Sequence, residues 1–285
     1  MHFDLGSVAV TTITYYPKWY KGALKSIKHT DKIRGDLALE FIGKGSSLGY
    51  KMIVVNGGSP KTFSKELSRI KDILVVKRRG KKRSPGKRMG IKIASKLPEI
   101  KIIVISEAEK VSLITDCIRQ IVSPIINNIS DIVVPKREKS LFKSTYPDYM
   151  VESEIEGNRI YNEILVSNNL RKPGEEDLDM FFGPRALRND KKIVSMFMKK
   201  YNIFSSEYFN SEEWSNTLYF PIVHALSKRL RVDSVTIPFA YPKIQKENEN
   251  ASAEDVFIEK RRAQRMGLVI ELLHFMNYIK KEEVK

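Results

Sequence analysis

Four short apolar runs rich in β-branched residues punctuate the first half of the chain: Val8 to Ile13, Met52 to Val55, Ile102 to Ile105 and Ile132 to Val134. Each has the length of a buried strand. Between them, Phe63 to Ile70, Arg88 to Lys96 and Val111 to Val122 have helical character. Strand alternating with helix predicts an α/β fold: a mostly parallel sheet flanked by helices on both faces. Such sheets bind ligands beyond the carboxyl ends of their strands. The loops that follow the four runs read "TYYPKW", "NGGSPK", "SEAEK" and "PKREK", and they are richer in Gly, Pro and charge than the strands feeding them.

The second half is less regular. "SEIEGNRIYNEIL" and "EEWSNTLYFPIVHALSKRL" read as helical, "RVDSVTIPFAYP" contains a strand, and "QKENENASAE" reads as a polar loop. A long C-terminal helix is expected after it, with Ser252 as N-cap and Glu254 and Asp255 in the first turn. The apolar residues of that helix are expected to dock on the core. No linker interrupts the chain, so the expectation is one domain over 1–285, with a ligand-binding half at 1–137 and a completing half at 138–285.

At 42% hydrophobic, 285 residues are enough for a sizeable core. Eight Lys and Arg fall between Lys77 and Arg88, half of the net charge of +16, so the remaining basicity is spread over the chain. A field of that sign favours nucleic acid, phosphorylated metabolites or an acidic membrane surface. With Cys117 the sole cysteine, neither an intramolecular disulfide nor a cysteine-based metal site can form. The first residues lack the signal-peptide pattern, and nowhere do eighteen apolar residues follow one another. The expected location is the cytoplasm, with a peripheral position at a membrane as its variant.

Three stretches carry candidate chemistry. In "VVNGGSP", Gly57 and Gly58 allow a tight turn, the Asn56 amide offers a donor and an acceptor to a base edge, and Ser59 and Pro60 suit an N-cap and first helical position. In "ISEAEK", Glu107 and Glu109 are one residue apart, so on extended backbone both carboxylates point the same way. They suit either a divalent cation bridging phosphates or a solvated acidic helix start. The run from Lys77 to Arg88 reads as a phosphate-binding loop, a solvated face or a nucleic-acid arm.

The order "VVNGGS", "GKRMGIKIA", "IIVISEAEK" and "DIVVPKR" resembles nucleotide-sugar glycosyltransferases of the GT-A fold, particularly family 2 and its relatives. The likeness covers Val8 to Arg137 and weakens towards Arg188. It implies a GT-A-like, Rossmann-like sheet and transfer of a sugar from a nucleoside diphosphate sugar to an acceptor hydroxyl. It places Thr12, Asn56, Gly57, Lys87, Arg88 and Glu107 at the donor, Gly90 and Ala94 at helix-packing positions, and Glu107 and Glu109 at a metal, Mn²⁺ or Mg²⁺. This sequence has Asn and Glu where that family has Asp. The longer Glu side chains stand against the near-octahedral geometry that Mg²⁺ demands, and Lys87, Arg88 and Lys110 are the basic residues able to replace the ion at the diphosphate. In "GEEDLDMFFGPRALRND", the resemblance assigns Asp179 as general base. His224 is a candidate third metal ligand, or a core histidine. The expected partners are the nucleotide sugar and a hydroxyl acceptor, with an anionic membrane surface as a further partner and nucleic acid ranked below them. The competing readings are a nonenzymatic nucleic-acid binder and a GT-A relative that binds without transferring.

Overall fold

A computed structural model describes residues 4–78, 83–203, 214–252 and 255–283. The apolar runs form strands β1 (Val8–Thr14), β2 (Lys51–Asn56), β4 (Ile102–Ile105) and β5 (Ile132–Arg137), and β7 (Val232–Ile237) lies within the stretch expected to hold one. Two further strands, β3 (Ile73–Lys77) and β6 (Arg185–Arg188), complete a seven-stranded sheet of order β3-β2-β1-β4-β6-β5-β7. All neighbours pair in parallel except β6, which runs antiparallel between β4 and β5.

The helices in chain order are α1 (Thr30–Ser47), α2 (Lys61–Leu67), α3 (Arg83–Ala94), α4 (Ile118–Ile126), α5 (Lys139–Thr145), α6 (Asp148–Ser167), α7 (Lys191–Met198), α8 (Ser215–Leu218), α9 (Phe220–Ser227), α10 (Lys243–Ala251) and α11 (Asp255–Glu283). A π-helical turn, Leu113–Cys117, leads into α4. Alternation along the strands divides the core between the two faces of the sheet. Val8, Val10, Met52 and Val54 pack with Phe41 and Ile118 on one side, while Ala9 and Ile53 pack with Ile91, Phe220 and Phe275 on the other. Residues 245–251, expected as a polar loop, are helical in α10, and Ser252 closes that helix as its C-cap. Glu254 lies outside the described residues. The terminal helix docks as expected: Leu272, Phe275 and Met276 are buried, and the Phe275 ring stacks on Phe220 at 4.3 Å.

Two local features set the site. Helix α3 approaches β1 closely because it carries glycine where the two meet: a Cβ on Gly90 would stand 3.1 Å from Cβ of Thr11, and one on Gly86 would stand 3.0 Å from Ile13. Because β6 is antiparallel, its first residue, Arg185, pairs with Ile105 at the carboxyl end of β4. The segment Asp179–Gly183 is thereby drawn across the carboxyl ends of β4 and β5.

Candidate active site

A cavity of about 790 Å³ opens where these ends converge. Its walls include Ile13 and Tyr15 from the end of β1, Arg78 after β3, Ser106 and Glu107 after β4, and Arg137 ending β5. Arg83 and Lys87 reach it from the first turns of α3, and Phe181 to Gly183 from the crossing segment. A cavity at the carboxyl edge of a parallel sheet is the place that strand topology dictates for a ligand.

Four basic residues form one part of the wall. Arg83 lies over the Trp214 ring at 4.3 Å and Lys87 over the same ring at 5.3 Å. Arg78 is 8% exposed although it belongs to the charged run, and its side chain crosses Gly57, where a Cβ would stand 2.9 Å from its Cδ. Lys110 packs over Phe182 at 4.7 Å and stands 3.9 Å from Glu107. Residues 79–82 of the charged run lie outside the described residues.

Glu107 and Glu109 both line the cavity, as expected of side chains at alternate positions. Burial would raise the Glu107 carboxyl, but Lys110 and Lys87, with Arg185 behind them, hold it below the usual carboxylate range. The Glu107 carboxylate fills the space beside Gly183, where a Cβ would overlap its Oε1. Oε2 of Glu107 has no hydrogen-bond partner among the described residues. Arg34 faces Glu109 at 3.9 Å.

This donor set does not fit a divalent ion. Each carboxylate already faces a cation, so an added dication would sit against Lys110, Lys87 and Arg34. Among the described residues, no three His, Cys, Asp or Glu side chains come together to hold one. His224 is not brought to the pair. Its Nδ1 is 2.8 Å from the Tyr201 hydroxyl, and burial, with Lys199 nearby, lowers its pKa.

Asp179 is buried and does not line the cavity. Arg137 grips it through Nε at 2.7 Å and Nη2 at 2.8 Å, and Asn158 donates to it at 2.8 Å. Burial would raise its carboxyl, yet Arg137 and these hydrogen bonds hold it below the usual range. A carboxylate so engaged is a weak base and has no path to an acceptor, so the general-base expectation is corrected here. Its role is to hold Arg137, which also binds Glu154 at 2.7 Å.

The other expected donor residues divide. Lys87 lies in the wall, whereas Thr12, Asn56, Gly57 and Arg88 do not line it. The Asn56 amide accepts from Thr14 at 3.2 Å and donates to Ser64 at 3.0 Å, tying β1 to α2. Gly57 instead makes room for Arg78. Thr12 is buried within β1, on the sheet face opposite α3. Ser59 is not an N-cap: Pro60 takes that position, and the Ser59 hydroxyl accepts from the Tyr16 amide at 3.1 Å.

No protein-family model matches the sequence, and no curated protein does. Solved structures do. A mycobacterial protein is similar with a TM-score of 0.50 at 10% identity, over 81% of this chain and 67% of that one. The chain has a GT-A fold. Glucosyl-3-phosphoglycerate synthase from Mycobacterium tuberculosis, solved with Mn²⁺, UDP and glucosyl-3-phosphoglycerate, is similar with a TM-score of 0.49 at 10% identity, over 83% of this chain and 72% of that chain. The 4-diphosphocytidyl-2C-methyl-D-erythritol synthase from Anaerococcus prevotii is similar with a TM-score of 0.44 at 12% identity, over 87% of this chain and all of that one. In the GT-A sheet of this chain, the cavity occupies the carboxyl edge of β1 and β4, which are neighbours.

Sequence reasoning missed Tyr15, Arg34, Trp214, Tyr219, Gln245, Glu249 and Arg265, which also line the cavity. Arg34 had a readable signal, since it follows the loop after β1 by one helical turn. Glu249 and Gln245 lay in a segment whose polarity hid a helix.

Proposed function

We propose that this protein is a glycosyltransferase that binds a nucleoside diphosphate sugar in the cavity and stabilises the departing diphosphate with basic side chains. The observation that carries the reading is the group Arg78, Arg83, Lys87 and Lys110 in the wall of a cavity at the carboxyl edge of a GT-A sheet. A developing diphosphate carries most of its new charge at the leaving oxygen, and fixed cations in a partly dry site stabilise it with little reorganisation. Lys87 and Arg83 both pack over the Trp214 ring, which directs them at the cavity. Charge-assisted hydrogen bonds to phosphate contribute about 1.5–3 kcal/mol each.

Glu107 serves the donor sugar. Its Oε2, which accepts no hydrogen bond among the described residues, is an acceptor for a sugar hydroxyl. Cations nearby keep it ionised, and the lack of a side chain at Gly183 leaves it room. Transfer then requires an acceptor hydroxyl held against the anomeric carbon, which is a matter of positioning in the remaining cavity.

The test is release of nucleoside diphosphate from a panel of UDP-, GDP- and CDP-sugars by the purified protein in EDTA, followed by chromatography. Cleavage of one donor, abolished in Lys87→Ala, is expected. Tight RNA binding that weakens steeply with salt, with no donor cleaved, would replace the reading with a nucleic-acid binder.

A further inference from the structure

The wall built by α10 and α1 has a different chemistry from the basic one. Glu249 and Gln245 lie one turn apart on α10, are 6% and 4% exposed, and both line the cavity. Oε1 of Glu249 accepts from the Tyr241 hydroxyl at 2.8 Å and from Nε2 of Gln245 at 3.4 Å, and Arg34 stands 3.6 Å away. These contacts fix the carboxylate. They also fix the Gln245 amide, since the reverse orientation would set two acceptors against each other.

Oε2 of Glu249 and Oε1 of Gln245 are left without hydrogen-bond partners among the described residues. Buried acceptors are rarely left unsatisfied. Both require a donor, an O–H or an N–H, and two on one helix face ask for a ligand with several.

Charge narrows the class. In this part of the cavity Arg34 of α1 faces Glu109 at 3.9 Å and Glu249 at 3.6 Å, and beyond it Arg137 of β5 is paired with Asp179 and Glu154, and Arg265 of α11 with Glu154 at 3.2 Å. These cations are thus engaged with carboxylates, and a phosphate or carboxylate would meet Glu249 and Glu109. An ammonium would meet Arg34. The rings of Tyr16, Tyr146 and Tyr241 line the same cavity and offer apolar faces to C–H groups.

We infer that the α10 wall is an acceptor subsite for a neutral polyhydroxylated molecule, a carbohydrate or polyol, whose hydroxyls donate to Glu249 and Gln245. The inference rests on the transferase reading above and deepens it. Two measurements keep the two apart. In the first, sugar transfer from the donor that the protein cleaves is assayed to maltose, mannose and glycerol, and to glucose 6-phosphate and 3-phosphoglycerate. Transfer to a neutral acceptor is expected, with the acceptor KM raised tenfold or more in Glu249→Gln and in Gln245→Leu, while nucleotide affinity moves less than twofold. Preference for the phosphorylated acceptors, or an unchanged KM in both variants, overturns the subsite. In the second, saturation-transfer NMR follows binding of maltose, mannose and glycerol without turnover. Binding lost in Glu249→Gln supports the subsite even if no donor is cleaved, a result that would remove only the transferase reading. Absence of binding by all three neutral probes in the unmodified protein overturns the subsite.

Discussion

Lys87 and Asp179 show how a charged residue's partners decide its use. Lys87 is directed at the cavity by an aromatic ring, whereas Asp179 is gripped by Arg137 and turned from it. Lys87→Ala should weaken nucleoside diphosphate binding by roughly tenfold or more, the loss of about one charge-assisted contact, as read by calorimetric titration. Asp179→Asn should act through stability: breaking a buried pair by removing one partner costs about 3–5 kcal/mol, and Asn retains some of the hydrogen bonding, so the low end is expected in denaturant titration. Its pH dependence has a definite sign. Because the folded carboxyl is held below its unfolded value of about 3.9, it contributes stability that is fully present above that value and is lost as pH falls from there through the lower folded one. The variant should therefore lose stability less steeply than the parent below about pH 4. The sequence showed that "EEDLDM" was acidic, but not which carboxylate faces solvent, because the partner Arg137 lies 42 positions away. Glu107 was legible because its neighbours in sequence, Lys110 and the end of β4, are also its neighbours in space.

At the scale of elements, the apolar, buried strands β1, β2, β4 and β5 were readable and β7 was placed within a longer stretch, whereas β3 and β6 were not. The run "IIVI" of β4 is fully buried, and its boundaries were read from composition alone. Strand β3 is an edge strand, half exposed, whose apolar residues merge into the basic run. Strand β6, "RALR", begins with a fully buried arginine that donates to the carbonyls of Met180, Phe182, Pro184 and Leu218, an arrangement no hydropathy pattern reveals. Helix α1 carries Gly35, Gly43 and Gly45, which weaken its local signal. The docking of α11 was legible from its apolar positions, and it has an energetic consequence. Phe275 is fully buried between Phe220 and Tyr201, so Phe275→Ala should destabilise the protein by about 3–5 kcal/mol. Urea unfolding would show this as a lowered midpoint at an unchanged slope.

For the molecule as a whole, the excess of positive charge has two fates. Much of it is spread over the surface, where it attracts anions of any kind. A smaller part is gathered by the fold into one cavity wall, where Arg78 comes from just after β3, Arg83 and Lys87 from the first turns of α3, and Lys110 from the loop after β4. No helix among the described residues is long and apolar enough to cross a membrane. The carboxylates that line the same cavity come from α1, α6, α10 and the loop after β4, so the site exists only when both halves of the chain are folded together. The central claim is that these cations, without a metal ion, bind a nucleoside diphosphate. Its most direct test is thermal unfolding with UDP, GDP or CDP in EDTA, and again with Mn²⁺, since a ligand that binds only the folded state raises its stability by mass action, about 2.7 kcal/mol at a hundredfold excess over Kd. A selective rise in Tm with one nucleotide in EDTA, little changed by Mn²⁺, is the predicted result; no rise with any of them, or a rise only when Mn²⁺ is present, would contradict it.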